Sequence, residues 1–206
     1  YAPSEIPTKI LTNNLFGIEI DERAGELAAF ALTIKARSKQ RSFFKKKIRP
    51  NVCVLENITF EKEELKEYMD FIGIDLFTGP LRETLAQFEE TNNFGSLINP
   101  KLQDVNDSIK HIENKNTSGQ IFLHLTHQKV LQVLKQSDYL SSKYHVVVAN
   151  PPYMGGKGMN SRLGAWAKDN YKDSKSDLFA MFIERNLELS VQKGLVSMIT
   201  MQSWMF

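Results

Sequence analysis

Cysteine is almost missing from this chain: among 206 residues, Cys53 stands alone. A lone thiol excludes an intrachain disulfide framework and fits a reducing cytosol. Set in the apolar run Val52-Cys53-Val54-Leu55, it reads as a buried free thiol rather than a ligand or nucleophile. No apolar run reaches the length that crosses a bilayer, and no secretory leader pattern opens the chain. A cytoplasmic location with no membrane partner is therefore expected. Neither sign of charge prevails: 26 Lys and Arg against 24 Asp and Glu leave +2, which neither demands nor excludes a polyanionic partner. The four histidines show no metal spacing. His124 and His127 stand i,i+3 on one helical face but lack a third ligand, so no metal is expected. Glycine is absent from Tyr1 to Asn14.

What is present is ordinary for a globular protein: 42% hydrophobic and 24% charged residues, with length for one α/β domain and a sizeable core. The chain begins at Tyr1 and stops on the apolar Ser203-Trp204-Met205-Phe206. These ends read as those of a piece cut from a larger protein.

Leu15 to Ile20 reads as a strand. Asp21 stands where a helix N-cap belongs, ahead of the helically spaced stretch from Ala24 to Leu32. Arg41 to Arg49 is basic; it reads as a solvated helix end, with phosphate contact the competing reading. Pro50-Asn51 breaks the chain, and Val52 to Glu56 reads as a second strand, parallel to the first. From residue 60 the pattern becomes helical. Helices are expected over Glu61 to Ile72, Pro80 to Asn92 (with Leu81, Leu85 and Phe88 on one face), Lys101 to Glu113 and Ile121 to Leu134. Gly95 to Pro100 reads as a turn. Tyr144 to Ala149 is the next strand, and His145 to Ala149 reads as fully buried. A helix capped by Ser176 or Asp177 is expected to run to Gln192, closed by Lys193-Gly194. A last strand covers Leu195 to Met201. This gives a first core part at 1–59, a helical insertion at 60–143, and a second core part at 144–206.

The chemistry concentrates at Asn150-Pro151-Pro152-Tyr153. It follows a β-branched strand and so sits at a carboxyl sheet edge, where α/β proteins bind ligands. An exocyclic amino group on a flat base is a poor nucleophile, because its lone pair is delocalised into the ring. A site that accepts both of its N–H bonds can free that lone pair. The Asn150 side-chain oxygen can accept one. The Pro151 carbonyl can accept the other, held rigid by two successive prolines. Tyr153 offers a face for a flipped base. Standing alone, the same four residues could simply end a strand in a turn.

Glu19 closes the first strand, the place from which an acidic residue binds ribose hydroxyls in nucleotide folds. A surface acid beside a helix start is the competing reading. Glu56 and Asn57 close the second strand, either to reach a cofactor's adenine or to form a polar turn.

These residues resemble a family. Asn150-Pro151-Pro152-Tyr153 is similar to the fourth motif of the amino-methyltransferases that modify DNA adenine at N6. Phe16 to Asp21 resembles their second motif, and Val54-Leu55-Glu56-Asn57 their third. Asp177 to Phe182 and Gly194 to Thr200 resemble the helix and strand that follow. The stretch from Asn150 to Phe206, with Gly155-Gly156-Lys157-Gly158-Met159-Asn160, is similar to the PglX-type adenine methyltransferases of BREX phage-defence systems, which are akin to fused restriction-modification enzymes. The turn Phe94-Gly95-Ser96-Leu97-Ile98 shares the likeness.

The resemblance implies a partial Rossmann-like fold dependent on S-adenosylmethionine, with a mainly helical insertion. It implies double-stranded DNA with a flipped adenine as substrate, and other defence proteins as partners. Asn150 and Pro151 would bind the target amino group and Tyr153 would stack on the base. Glu19 would hold the cofactor ribose, with Ile20 and Glu56 lining its adenine pocket. The family's glycine-rich first motif has no counterpart before Glu19. The piece alone would then bind cofactor weakly and leave a gap in its sheet where the family's first strand belongs. RNA adenine or protein glutamine as acceptor, or a non-catalytic nucleic-acid-binding component, are the other readings.

Overall fold

Strand β1 (Phe16–Glu19) lies parallel to β2 (Asn51–Val54), with Glu19 opposite Val54 at the shared carboxyl end. The structure, a computed structural model, describes residues 2–73, 77–102 and 104–202. The expected terminal run 203–206 lies outside the described residues. The fold is mixed α/β with parallel strands and helices between them. The chain forms two compact units, Tyr1–Tyr139 and Leu140–Phe206.

In the first unit, α1 (Ile6–Asn13) precedes β1, a helix the sequence reading did not place. Leu11 of α1 is buried with Ala36 and Phe43. Helix α2 (Glu22–Lys39) connects the paired strands, and Asp21 caps it by accepting from the Ala24 amide at 2.9 Å. It runs seven residues beyond Leu32, because nothing from Thr33 to Lys39 breaks a helix. Gly25 brings α2 onto the sheet, since a Cβ there would lie 2.6 Å from Val54 Cγ2.

Helices α3 (Lys62–Ile72), α4 (Thr78–Gln87), the short α5 (Thr91–Phe94), α6 (Val105–Glu113) and α7 (Ile121–Ser141) follow β2. The helix expected over Pro80 to Asn92 is divided by a 3-10 turn at Phe88–Glu90. Leu81, Leu85 and Phe88 nevertheless face one core and are fully buried. Each such side chain contributes about 1.5–3 kcal/mol relative to exposure. Glu61 and Glu64 form a reciprocal capping box at the start of α3. Asp104 starts α6 by accepting from the Asp107 amide at 3.0 Å. Helix α7 continues past Leu134 because no Gly or Pro interrupts it.

In the second unit, β3 (Tyr144–Ala149) lies parallel to β4 (Ser190–Met198), joined by α9 (Leu178–Leu189). Asp177 caps α9. Helix α8 (Ser161–Asn170) was not expected; its signal is Asn160, which accepts from the Leu163 amide at 2.8 Å.

Three expectations need correction here. Strand β3 is not fully buried: Val146 and Val148 are 57% and 75% exposed. Among the described residues of its unit β3 pairs with β4 alone and is packed by α9, so one face points outward. Helix α9 ends at Leu189, not Gln192, because Ser190 turns extended and pairs with Tyr144. Lys193-Gly194 does not cap a helix. It lies inside β4, between the Tyr144–Ser190 and Val146–Leu195 pairings, at an irregularity where Lys193 takes φ +64°. A Cβ on Gly194 would crowd Ser190 Oγ and lie 3.0 Å from the Val191 carbonyl. Lys-Gly suits either structure, and the strand pairing decided which.

A buried guanidinium ties α9 to the end of α7. Arg185, 1% exposed, donates to the Leu140 carbonyl at 2.6 Å and to Glu188 at 3.1 Å. Burial pulls its pKa down, opposed by Tyr171 and Glu188.

Candidate functional site

Each unit carries its own set of candidate residues at a strand's carboxyl end. In the first, Glu19, Ile20, Glu56 and Asn57 gather where β1 and β2 stop, tied by the Leu55 amide donating to the Glu19 carbonyl at 2.8 Å. The half-buried Glu19 carboxylate turns back onto its own chain. Its Oε1 accepts from the Ile20 amide at 2.8 Å and the Asp21 amide at 3.2 Å. This locks the side chain at the strand end. Oε2 takes no hydrogen bond among the described residues, so it can accept from a pair of hydroxyls. Asp21 is occupied as the cap of α2.

Ile20 is 48% exposed beside that carboxylate. Glu56 is held by two glutamines of α7. Gln136 Oε1 accepts from the Glu56 amide at 2.9 Å, and Gln132 Nε2 donates to Glu56 Oε2 at 2.6 Å. Asn57 Oδ1 accepts from Thr91 Oγ1 at 2.9 Å and from the Asn92 amide at 2.8 Å. Both lone pairs of that oxygen are therefore used within the chain.

Cys53, expected to be buried, is half-buried, because among the described residues β2 pairs with β1 alone. Burial, with the Glu56 charge nearby, pushes its thiol up to about 11. It is protonated near neutral pH and a poor nucleophile.

In the second unit Asn150 follows β3 directly, and the Ile199 amide donates to the Ala149 carbonyl at 3.3 Å. Asn150, Pro152 and Tyr153 are exposed and Pro151 is buried. Neither the Asn150 side chain nor the Pro151 carbonyl makes a hydrogen bond among the described residues. Tyr153 is 49% exposed, leaving ring surface for a flat partner.

The loop beyond them is fastened to the start of α9. The Leu178 amide donates to the Met154 carbonyl at 2.9 Å, and the Gly156 amide to the Ser176 carbonyl at 2.9 Å. Gly155 and Asp177 form an antiparallel bridge. Gly158 admits the turn, as a Cβ there would lie 2.9 Å from Met154 Cγ. The exposed amide and ring thus stand on a fixed stem, which is what a rigid acceptor site needs.

A cavity of about 560 Å3, lined in part by Thr117, Gln120, His124 and His127, contains none of these residues. Among the described residues no three His, Cys, Asp or Glu side chains could share a metal, and no helix is long and apolar enough to cross a membrane.

Residues 13–206 match the Eco57I restriction-modification methylase family. The chain is 34% identical over 230 residues to the "Adenine-specific methyltransferase BrxX" of Escherichia coli O9:H4 (strain HS), covering all of this chain and 19% of that protein. It is also 34% identical over 212 residues to the "Adenine-specific methyltransferase PglX" of Lacticaseibacillus casei (strain Zhang), covering all of this chain and 18% of that protein. The chain thus spans less than a fifth of the length of these relatives. Its parallel α/β architecture is consistent with a Rossmann-like methyltransferase domain.

Proposed function

Because this chain belongs to the Eco57I restriction-modification methylase family, we propose that it forms part of an adenine-N6-specific DNA methyltransferase of BREX phage defence or restriction-modification. In this reading it acts within a longer protein, with residues 60–143 as an insertion in the methyltransferase core. The observation that carries the proposal is the unbonded Asn150 amide beside the unbonded Pro151 carbonyl on a fastened loop.

Two acceptors on a rigid turn suit an amino group with two N–H bonds. Asn150 Oδ1 takes one, and the Pro151 carbonyl takes the other. Accepting both favours a nitrogen whose lone pair is released from the ring. Tyr153 stacks on the extruded adenine and orients its amino group toward those acceptors. The two prolines remove backbone donors that would compete for the same oxygens.

The methyl group would come from S-adenosylmethionine. The first unit's donor set fits that cofactor's nucleoside half. Glu19 Oε2 can accept from the ribose hydroxyls, while its Oε1 is anchored on two backbone amides. The exposed Ile20 offers an apolar edge for the adenine, and Glu56 flanks it.

Asn150→Ala in the full-length protein tests the reading. Methylation of adenine in DNA should fall below detection, while the melting temperature stays unchanged. Undiminished methylation would sink it. Labelled methyl transfer to RNA or to protein glutamine, with none to DNA, would move the acceptor but keep the amide-gripping role.

A further inference from the structure

We infer that the turn from Thr91 to Leu97 forms one wall of the cofactor's nucleoside pocket, and that Asn57 is the positioning residue that holds it there. The inference rests on the cofactor reading of Glu19 and Ile20 given above.

The placement comes from two ties between this turn and the carboxyl ends of β1 and β2, with a third just ahead of the turn. Asn57, just past β2, accepts from both Thr91 Oγ1 and the Asn92 amide. The neighbouring Ile58 amide donates to the Phe88 carbonyl at 3.0 Å. At the other strand end, Gly95 packs on Ile20. A Cβ on Gly95 would stand 3.1 Å from Ile20 Cγ2. Gly95 also has φ +55° and ψ −142°, a backbone conformation that side chains other than glycine's disfavour. Glycine here is thus demanded by the turn itself and by its contact with Ile20.

The turn is well supported from below. Thr91, Phe94, Gly95, Leu97 and Ile98 are buried, whereas Asn93 and Ser96 are half-buried at its surface. In parallel α/β sheets the ligand enters at the carboxyl ends of the strands. A buttressed turn touching Ile20 there shapes the space beside Glu19. Asn57 has spent its acceptor oxygen on Thr91 and Asn92. Its contribution is therefore to place the turn, not to accept from the cofactor through that oxygen.

The test uses the full-length protein, with binding read by calorimetry for S-adenosylmethionine and for 5′-methylthioadenosine, which carries only the nucleoside half. Asn57→Ala should weaken both ligands about tenfold. Asn57→Asp, which keeps an acceptor at the same place, should stay within about threefold of the parent. Gly95→Val should weaken both ligands at least as much as Asn57→Ala. In the unmodified protein, hydrogen exchange over residues 91–97 should slow on adding either ligand, a readout that does not require any variant to fold.

Kd values within twofold of the parent for Asn57→Ala and Gly95→Val, with unchanged exchange over 91–97, would overturn the proposal. If Glu19→Ala abolishes binding in that case, the cofactor reading stands and only the wall is lost. If the unmodified protein binds neither ligand, both fall together. A melting temperature lowered by Asn57→Ala with both affinities unchanged would reduce the residue to a structural tie and likewise overturn the proposal.

Discussion

The Tyr68 hydroxyl lies 3.0 Å from His127 Nδ1, joining α3 to α7. Tyr68 is wholly buried and His127 is 5% exposed. Burial raises the tyrosine's pKa. Burial, with the charge of His124 added, lowers the histidine's. The bond is therefore one between a neutral phenol and a neutral imidazole. Tyr68→Phe leaves the imidazole nitrogen buried without its partner, which costs about 1–3 kcal/mol. The urea midpoint should fall while the far-ultraviolet circular dichroism spectrum stays the same.

The same pair sets a pH response. His127 titrates lower in the folded chain than the ordinary value of 6.5. Between those two values the unfolded chain binds the extra proton, so folding is disfavoured there. The contribution is fully present above about pH 6.5 and is lost as pH falls toward the folded value. His127→Gln should flatten this part of the stability profile, measured by urea melts at successive pH values. A profile as steep as the parent's would remove His127 as its source.

Two glycines should respond in opposite ways to added side chains. At Gly25 the new atoms meet Val54 Cγ2 between α2 and β2. Gly25→Val is expected to cost about 1–3 kcal/mol through overpacking. Gly164, inside α8, has no atom of the described residues within 4 Å of an added Cβ. Gly164→Ala should raise stability by about 0.5–1 kcal/mol through helix propensity. Thermal melts of both variants check the contrast.

If Tyr153 stacks on the extruded base, its ring matters and its hydroxyl does not. Tyr153→Ala should lower kcat/KM for DNA methylation by a factor equivalent to about 1–3 kcal/mol. That is roughly 5- to 150-fold. Tyr153→Phe should stay near the parent. Equal losses in both variants would instead place the role in the hydroxyl.

Much of the secondary structure was legible from local pattern alone. Asp21 and Asp177 announce α2 and α9, and a β-branched run announces β3, because caps and runs of β-branched residues are properties of neighbouring residues. The Asn150 to Tyr153 arrangement stands out for the same reason: an amide, two prolines and a ring follow in direct succession, and the chemistry proposed for them awaits the Asn150→Ala test. Where local signals were ambiguous, the reading failed. Lys193-Gly194 fits a helix end as well as an irregular strand, and only the pairing of β4 with β3 chose between them. Asn160 before Ser161 is the local cap signal of α8.

Other relationships span too much chain for any local pattern to reveal. Asn57 lies 34 residues from Thr91, and Tyr68 lies 59 from His127. Their hydrogen bonds exist because helical packing brings distant segments together and buried polar groups must then find partners. The sequence by itself determined the caps of α2 and α9 and the residue types that could grip an amino group, because these are properties of neighbouring residues. Tertiary structure alone decided that Asn57 spends its oxygen on a turn, and that Gly95 presses that turn against Ile20.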